Sequence, residues 1–402
     1  MAKQPKIRFK GFTEEWKEGK IGDAFCERDE HSGNGELLSV TINSGIRRAK
    51  DMERTFATGD LSKYKVVQKG DIAYNTMRMW QGACGVSEYS GIVSPAYTIA
   101  TPKDEQVSAF YAYYFKSNKM LHDFRINSQG LTSDTWNLRY PVFASIGIHY
   151  PSKKEQQEIS LFLRSLDTTI SQRETELEKL KNIKRALLEK LFPQDGQSIP
   201  VIRFKGFEGK WENRRLKDIA TRVTRKNIGL ESTLPLCISA QLGLVSQTEY
   251  YNNVVVGANL ANYFLIKKGE FAYNKSAAGE YPMGAVKCLK SLDKGILSTL
   301  YIVFALKDDI DADYVQAHYE TKPWQDDVKK RVAVGARNHG LLNISPEDFF
   351  DSLVVIPHNN DEQKKVGQIL AKLSQTISLR ERQLTLLKHS KQALLEQMFV
   401  NE

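Results

Sequence analysis

The run Asn75-Thr76-Met77-Arg78-Met79-Trp80-Gln81-Gly82 joins side chains that hydrogen-bond flat polar edges to side chains that stack on them. Arginine presents two parallel donors that match the O6 and N7 of guanine, and asparagine or glutamine matches the N6 and N7 edge of adenine. Asn75, Arg78, Trp80 and Gln81 are the candidate contacts in this run. A second run, Arg125-Ile126-Asn127-Ser128-Gln129-Gly130-Leu131-Thr132-Ser133, offers Arg125, Gln129 and Thr132 and is followed by Trp136 and Asn137. Only a few such residues would touch bases, while others would grip phosphate and set position. The alternative for each is an ordinary turn on a solvated surface.

Signatures of bond-making chemistry are missing. The sequence holds no G-x-x-x-x-G-K-[ST] phosphate loop, no G-x-G-x-x-G after a strand and no H-E-x-x-H. Its seven histidines (His31, His122, His149, His318, His339, His358, His389) are scattered without metal-ligand spacing. Cys26, Cys84, Cys237 and Cys288 contain no C-x-x-C pair, which fits reduced thiols with neither metal nor disulfide framework. Glu18-Gly19-Lys20 imitates a nuclease fragment, but such triplets arise freely by chance. No catalytic residue and no metal site is expected.

The residues that could bind are presented twice. Ile7-Arg8-Phe9-Lys10-Gly11-Phe12 returns identically at Ile202 to Phe207, and Trp16 is matched by Trp211. Lys69-Gly70-Asp71-Ile72-Ala73-Tyr74-Asn75 is echoed by Lys268-Gly269-Glu270-Phe271-Ala272-Tyr273-Asn274. After the second strand comes Asn274-Lys275-Ser276-Ala277-Ala278-Gly279-Glu280-Tyr281, giving the candidates Asn274, Lys275 and Ser276. The counterpart of the second run is Lys329 to His339, giving Lys330, Arg331, Arg337, Asn338 and His339. The framework is shared and the loop chemistry differs, as two readers of different things would require. Two active sites of one enzyme would keep the same reactive side chains.

Positioning these loops falls to a mixed set of elements. Glu36–Thr41, Asp71–Tyr74 and Tyr97–Ala100 read as strands bounded by turn residues, and Phe110, Tyr111, Tyr114 and Phe115 have the spacing of a short core helix. The second copy repeats the order at Leu236–Ile238, Phe271–Tyr273, Leu300–Phe304 and a helix around Tyr314–Tyr319. Strands and helices without a regular βαβ rhythm predict α+β modules.

Each module runs into a long heptad helix. Ser152 with Glu155, and Asn359 with Glu362, predict capping boxes behind Pro151 and Pro357. The first seam runs Ile159, Leu163, Leu166, Ile170, Arg173, Leu177, Leu180, Lys184, Leu187, Leu191. The second runs Val366, Leu370, Leu373, Ile377, Arg380, Leu384, Leu387, Lys391, Leu394, Met398. Alternating steps of four and three make a coiled-coil seam. Its charged members Arg173, Lys184, Arg380 and Lys391 fall at the same steps and are read as register-setting, with the other helix as the nearest partner. Apolar Phe162, Ile183 and Leu379 lie beside the seam and are candidates for covering by another subunit. The expected organisation is a first module over 1–152, a helix over 153–192, a linker over 193–200, a second module over 201–359 and a second helix over 360–402.

Composition agrees with this plan. The 402 residues, 41% hydrophobic, can fill more than one core, and no run approaches the length of a membrane span. The opening Met1-Ala2-Lys3-Gln4-Pro5-Lys6 lacks the apolar stretch of a signal peptide, so a cytoplasmic location is expected. Net charge is +9. Lys153–Phe192 holds nine Lys/Arg against seven Asp/Glu and Asp361–Glu402 seven against five, so most of the excess lies in the modules, where it favours a polyanion.

The chain resembles the specificity subunit of type I restriction-modification enzymes over essentially its whole length. The likeness rests on the order module, helix, module, helix and on an ordered set of strings: R-F-x-G-F…W at Arg8 and Arg203, K-G-D/E-φ-A-Y-N at Lys69 and Lys268, and Pro151…Glu155-Gln156 with Pro357…Glu362-Gln363. The set closes with L-E-x-φ-F at Leu188–Phe192 and Leu395–Phe399.

The resemblance implies two target recognition domains, each reading half of a bipartite, asymmetric site in double-stranded DNA. It further implies that the helices pair antiparallel, hold the domains apart and dock two adenine methyltransferase subunits, and that two restriction/translocase subunits complete the complex. S-adenosylmethionine, ATP and Mg²⁺ would serve those partners, with no cofactor bound directly by this chain. Rival readings are a coiled-coil scaffold for proteins alone, against which the basic modules and Asn/Arg/Gln-rich loops speak, and a nuclease or transferase with an unrecognised site.

Overall fold

The computed structural model describes residues 4–42, 45–52, 59–194, 196–239, 243–251, 259–276, 281–332 and 341–400. The two modules follow one strand plan. In the first, Phe25–Glu27, Tyr97–Pro102, Ile72–Asn75 and Cys84–Val86 form an antiparallel four-stranded sheet in that order. Three strand pairs accompany it: Lys17–Lys20 with Gly147–Tyr150, Leu38–Thr41 with Gly45–Arg48, and Lys65–Val67 with Gly91–Val93. In the second, the sheet is Ala220–Val223, Ile302–Leu306, Phe271–Asn274, Ala285–Cys288. Its pairs are Glu212–Arg215 with Leu353–Ile356, Leu236–Ser239 with Gly243–Ser246, and Phe264–Lys267 with Lys294–Leu297. The expected α+β class is the observed one.

The repeated Lys-Gly-acid string has a physical explanation. Gly70 (φ +96) and Gly269 (φ +87) turn the chain through the left-handed region that favours glycine. The following carboxylate then ties the turn. Asp71 accepts from the Gln68 N–H at 2.8 Å and from Arg28 Nε at 2.8 Å. Glu270 accepts from the Lys267 N–H at 2.7 Å and from Arg225 Nη2 at 2.8 Å.

The chain divides into two compact units, residues 1–173 with 384–402, and residues 174–383. Each long helix, Lys153–Leu191 and Asn360–Gln397, contributes one stretch to each unit. Within the first unit Ile159 and Leu163 share a core with Met398 and Phe399, and Asp167 pairs with Lys391, so the two helical stretches run antiparallel. Within the second, Leu191 shares a core with Val366 and Leu370, and Lys181 pairs with Glu381 at 2.8 Å, again antiparallel. Sequence periodicity treats the seam as uniform; its ends are in fact buried among the module aromatics. Phe399 stacks on Tyr114 at 5.0 Å and meets Trp16 at 6.4 Å. Phe192 meets Tyr314 at 5.2 Å and Trp211 at 6.1 Å. The stripe Phe110, Tyr111, Tyr114, Phe115 is core, as its spacing predicts.

At the helix starts the structure corrects the capping boxes. Glu155, 1% exposed, binds Arg8 through two hydrogen bonds of 2.6 and 2.8 Å instead of returning to Ser152. Glu362 binds Arg203 likewise at 2.7 and 2.8 Å, although Asn359 Oδ1 does accept from the Asp361 N–H at 2.8 Å. A two-pronged guanidinium is a stronger donor than one backbone N–H, so the arginine of the module opening wins the carboxylate. The adjoining glutamine is also committed. Gln156 donates to the Pro151 carbonyl at 2.9 Å and accepts from the Val107 N–H at 2.9 Å. Gln363 donates to the Pro357 carbonyl at 3.3 Å and accepts from the Asp311 N–H at 3.0 Å.

The seam charges do not behave alike. Lys391 reaches across to Asp167 of the other helix and lies 5.6 Å from the Tyr113 ring centre. Lys184 turns instead to Glu320 of the second module at 2.5 Å, which also holds Lys287 at 2.9 Å. Burial opposes ionisation of Glu320, but the two lysines outweigh it and bring its carboxyl down to about 2. Arg173 is exposed and Arg380 half-buried.

Leaving Arg8 without its carboxylate inside the fold should cost about 3–5 kcal/mol, so Glu155→Ala should lower the urea midpoint of the full chain markedly. A second expectation concerns acid. Burial lowers His318 to about 4 against the hydrogen bond from its ring to the Leu353 carbonyl at 3.2 Å. The folded state therefore binds this proton more weakly than the unfolded chain. Its contribution is complete above about pH 6.5 and is lost as pH falls towards 4, amounting to roughly 3 kcal/mol. Stability measured between those limits should decline less steeply in His318→Gln than in the parent.

Candidate nucleic-acid interface

The two candidate runs of the first module meet in space. Strand Ile72–Asn75 ends in a turn whose geometry Asn75 sets, its Oδ1 accepting from the Met77 N–H at 2.9 Å. The short turn Met79–Gln81 follows, with Met79 buried beneath it. Helix Asn118–Asn127 carries Arg125 in its last turn, and the chain after it folds back through backbone hydrogen bonds between Gln129 and Asn137 of 3.1 and 2.8 Å. Leu138 N–H then bonds the Thr76 carbonyl at 2.9 Å, tying this loop to the first.

Side chains close the junction. Trp80 and Trp136 pack edge to face at 5.2 Å, Arg125 lies over the Trp136 ring at 5.8 Å, and Arg78 is 3.7 Å from Asp134. Trp80 also donates its ring N–H to the Met77 carbonyl at 3.2 Å. Gln81, Arg125, Gln129 and Thr132 are exposed, while Asn75, Arg78 and Trp80 are half-buried. The result is a face with cationic and amide donors around an indole pair, able to bind flat polar edges and phosphate.

The second module joins its loops the same way. Asn274 Oδ1 accepts from the Ser276 N–H at 3.0 Å, Ser276 bridges Leu341, and the Leu342 N–H bonds the Lys275 carbonyl at 2.9 Å. Lys330 is exposed at the end of helix Lys322–Arg331, and Arg331 is held by Asp327 at 3.1 and 3.2 Å. Arg337, Asn338 and His339 lie outside the described residues.

Beside the seam, Ile183 and Leu379 are 51% and 56% exposed, whereas Phe162 packs edge-on against Phe9 at 5.6 Å. Sequence reasoning missed the Lys184–Glu320–Lys287 group, which borders a cavity of about 860 Å³ within the second unit. The available signal was a lysine inside the apolar strand Ala285–Cys288. Among the described residues no His/Cys/Asp/Glu group could hold a metal ion, and no helix is long and apolar enough to cross a membrane.

The family model for the type I restriction modification DNA specificity domain matches residues 13–182. Residues 13–182 are thus similar to a type I restriction-modification DNA specificity domain. No curated protein matches the sequence. The crystal structure of a type I restriction-modification S subunit from M. genitalium has the same fold, with a TM-score of 0.64 at 15% identity over 99% of this chain and 100% of that one. Two further structures align with lower scores. One, concerning complex assembly and conformational transition of the type I R-M system, aligns at 0.48 and 12% identity over 96% and 98% of the two chains. The other, the HsdS subunit from Thermoanaerobacter tengcongensis, aligns at 0.45 and 14% identity over 99% of each.

Arg78 supplies the sharpest test of the interface. If its guanidinium pairs with a guanine edge, Arg78→Ala should cost about 1–3 kcal/mol of discrimination at one base position. Binding to a library of single-base variants checks this. Uniform weakening with a shallower salt dependence would mark a phosphate contact instead.

Proposed function

We propose that this chain is the non-catalytic DNA-specificity subunit of a type I restriction-modification complex. Each module reads one half of a bipartite, asymmetric site, and the long helices set the distance between the halves. The observation that carries this reading is a common strand plan bearing unlike loops: Arg78, Trp80 and Gln81 follow the strand in one module where Lys275 and Ser276 follow it in the other. The match of residues 13–182 to the type I restriction modification DNA specificity domain supports the DNA target.

The exposed Ile183 and Leu379 dock two adenine methyltransferase subunits, and two restriction/translocase subunits complete the assembly. Those partners hold S-adenosylmethionine, ATP and Mg²⁺ and perform the chemistry, in the cytoplasm.

Exchanging the first recognition domain for that of another family member should change one half of the methylated motif and leave the other intact. The exchange should keep the helix stretches together with an arginine able to reach Glu155 and an aromatic pocket for Phe399. Methylome sequencing before and after reads the outcome, and alteration of both halves would show that the modules do not act independently.

A further inference from the structure

Packing does not explain Leu131. The residue is 102% exposed. Exposed leucines are common on proteins and alone mean little. What distinguishes this one is the bracing beneath it. Gly130 sits at φ +154, where a Cβ would lie 2.6 Å from the Thr135 carbonyl oxygen and 2.8 Å from the Trp136 nitrogen. Gln129 and Asn137 exchange backbone hydrogen bonds of 3.1 and 2.8 Å at the base of the loop. Across it, the Thr135 N–H and hydroxyl both donate to the Thr132 carbonyl at 2.9 Å, and the Thr132 N–H donates to Thr135 Oγ1 at 3.1 Å. An apolar group held this way loses little conformational freedom when it meets a ligand.

Its surroundings say what the ligand presents. Exposed Gln129 lies two residues before it, Arg125 rests over Trp136, and Ile126 is 64% exposed on the adjoining helix turn. Asp134 on the same loop is paired with Arg78. The matching surface is a polar edge carrying an isolated apolar group beside hydrogen-bonding atoms. On the major-groove edge of duplex DNA that group is the 5-methyl of thymine. We propose that Leu131 contacts a thymine methyl in the half-site read by the first module. This rests on the DNA-reading function proposed above.

The test uses the full chain with its methyltransferase partner and a duplex carrying the methylated motif, each thymine replaced in turn by deoxyuridine. The parent should bind about fourfold more weakly when one thymine of the first module's half-site loses its methyl, the value of burying one such group. Leu131→Ala, which trims a fully exposed residue, should bind the natural site more weakly by a similar factor and no longer distinguish thymine from deoxyuridine there. The inference is overturned if Leu131→Ala discriminates as the parent does. It is equally overturned if the parent ignores every methyl in that half-site, or gains affinity only from an unpaired step, as an inserted wedge would. Failure of the parent to prefer its motif over random duplex would have a different signature, overturning the DNA reading itself.

Discussion

Each module owes its closed core to a phenylalanine just past the end of a long helix. Phe399 enters the aromatic cluster of Trp16, Phe110 and Tyr114, and Phe192 enters that of Trp211, Tyr314 and His318. Burying a side chain of this size contributes about 1.5–3 kcal/mol from transfer out of water alone. The module openings reinforce the insertion, since the Ile7 N–H bonds the Gln397 carbonyl at 2.9 Å and the Ile202 N–H bonds the Lys190 carbonyl at 2.9 Å. These bonds satisfy carbonyls that a helix end otherwise leaves open.

Helix starts are fastened as firmly as helix ends. Arg8–Glu155 and Arg203–Glu362 join the module opening to the first turn of the departing helix, and Gln156 and Gln363 bond the turn before the neighbouring module helix. A buried carboxylate with a bidentate partner tolerates little displacement. The module therefore holds its own helix stretches as fixed parts of itself. In the first module the strand leading to Asn75 and the helix leading to Arg125 both rise from that core, so the loop pair around Trp80 and Trp136 stands on rigid ground. Framework residues repeat because this fastening is the same in both copies; loop residues are free of it and differ.

Periodicity and chemistry compete where helix meets module. A heptad pattern cannot distinguish a leucine facing another helix from one facing a module core, so Ile159 and Val366 read as seam although they lie in the module cores. The two equivalent lysines illustrate the same limit. Lys391 finds Asp167 on the other helix, but Ser374 occupies the equivalent helix position in the second unit, and Lys184 turns to Glu320 of the module.

The sequence by itself determined the two-copy plan, the α+β modules, the extent of the long helices and the existence of paired candidate loops. These are local or repeated features, and local features are legible because propensity, turn chemistry and periodicity act over a few residues. Tertiary structure decided which groups meet. Glu155 formed an ion pair with a residue far away in sequence instead of a local cap, Phe162 acquired Phe9 as a cover, and the Arg78 and Arg125 runs converged on one tryptophan pair. Leu131 looked like any loop residue until the bracing of Gly130 by Thr135 showed it held out from the surface. Such contacts join positions that no short-range rule connects, and only the folded chain brings their atoms within reach.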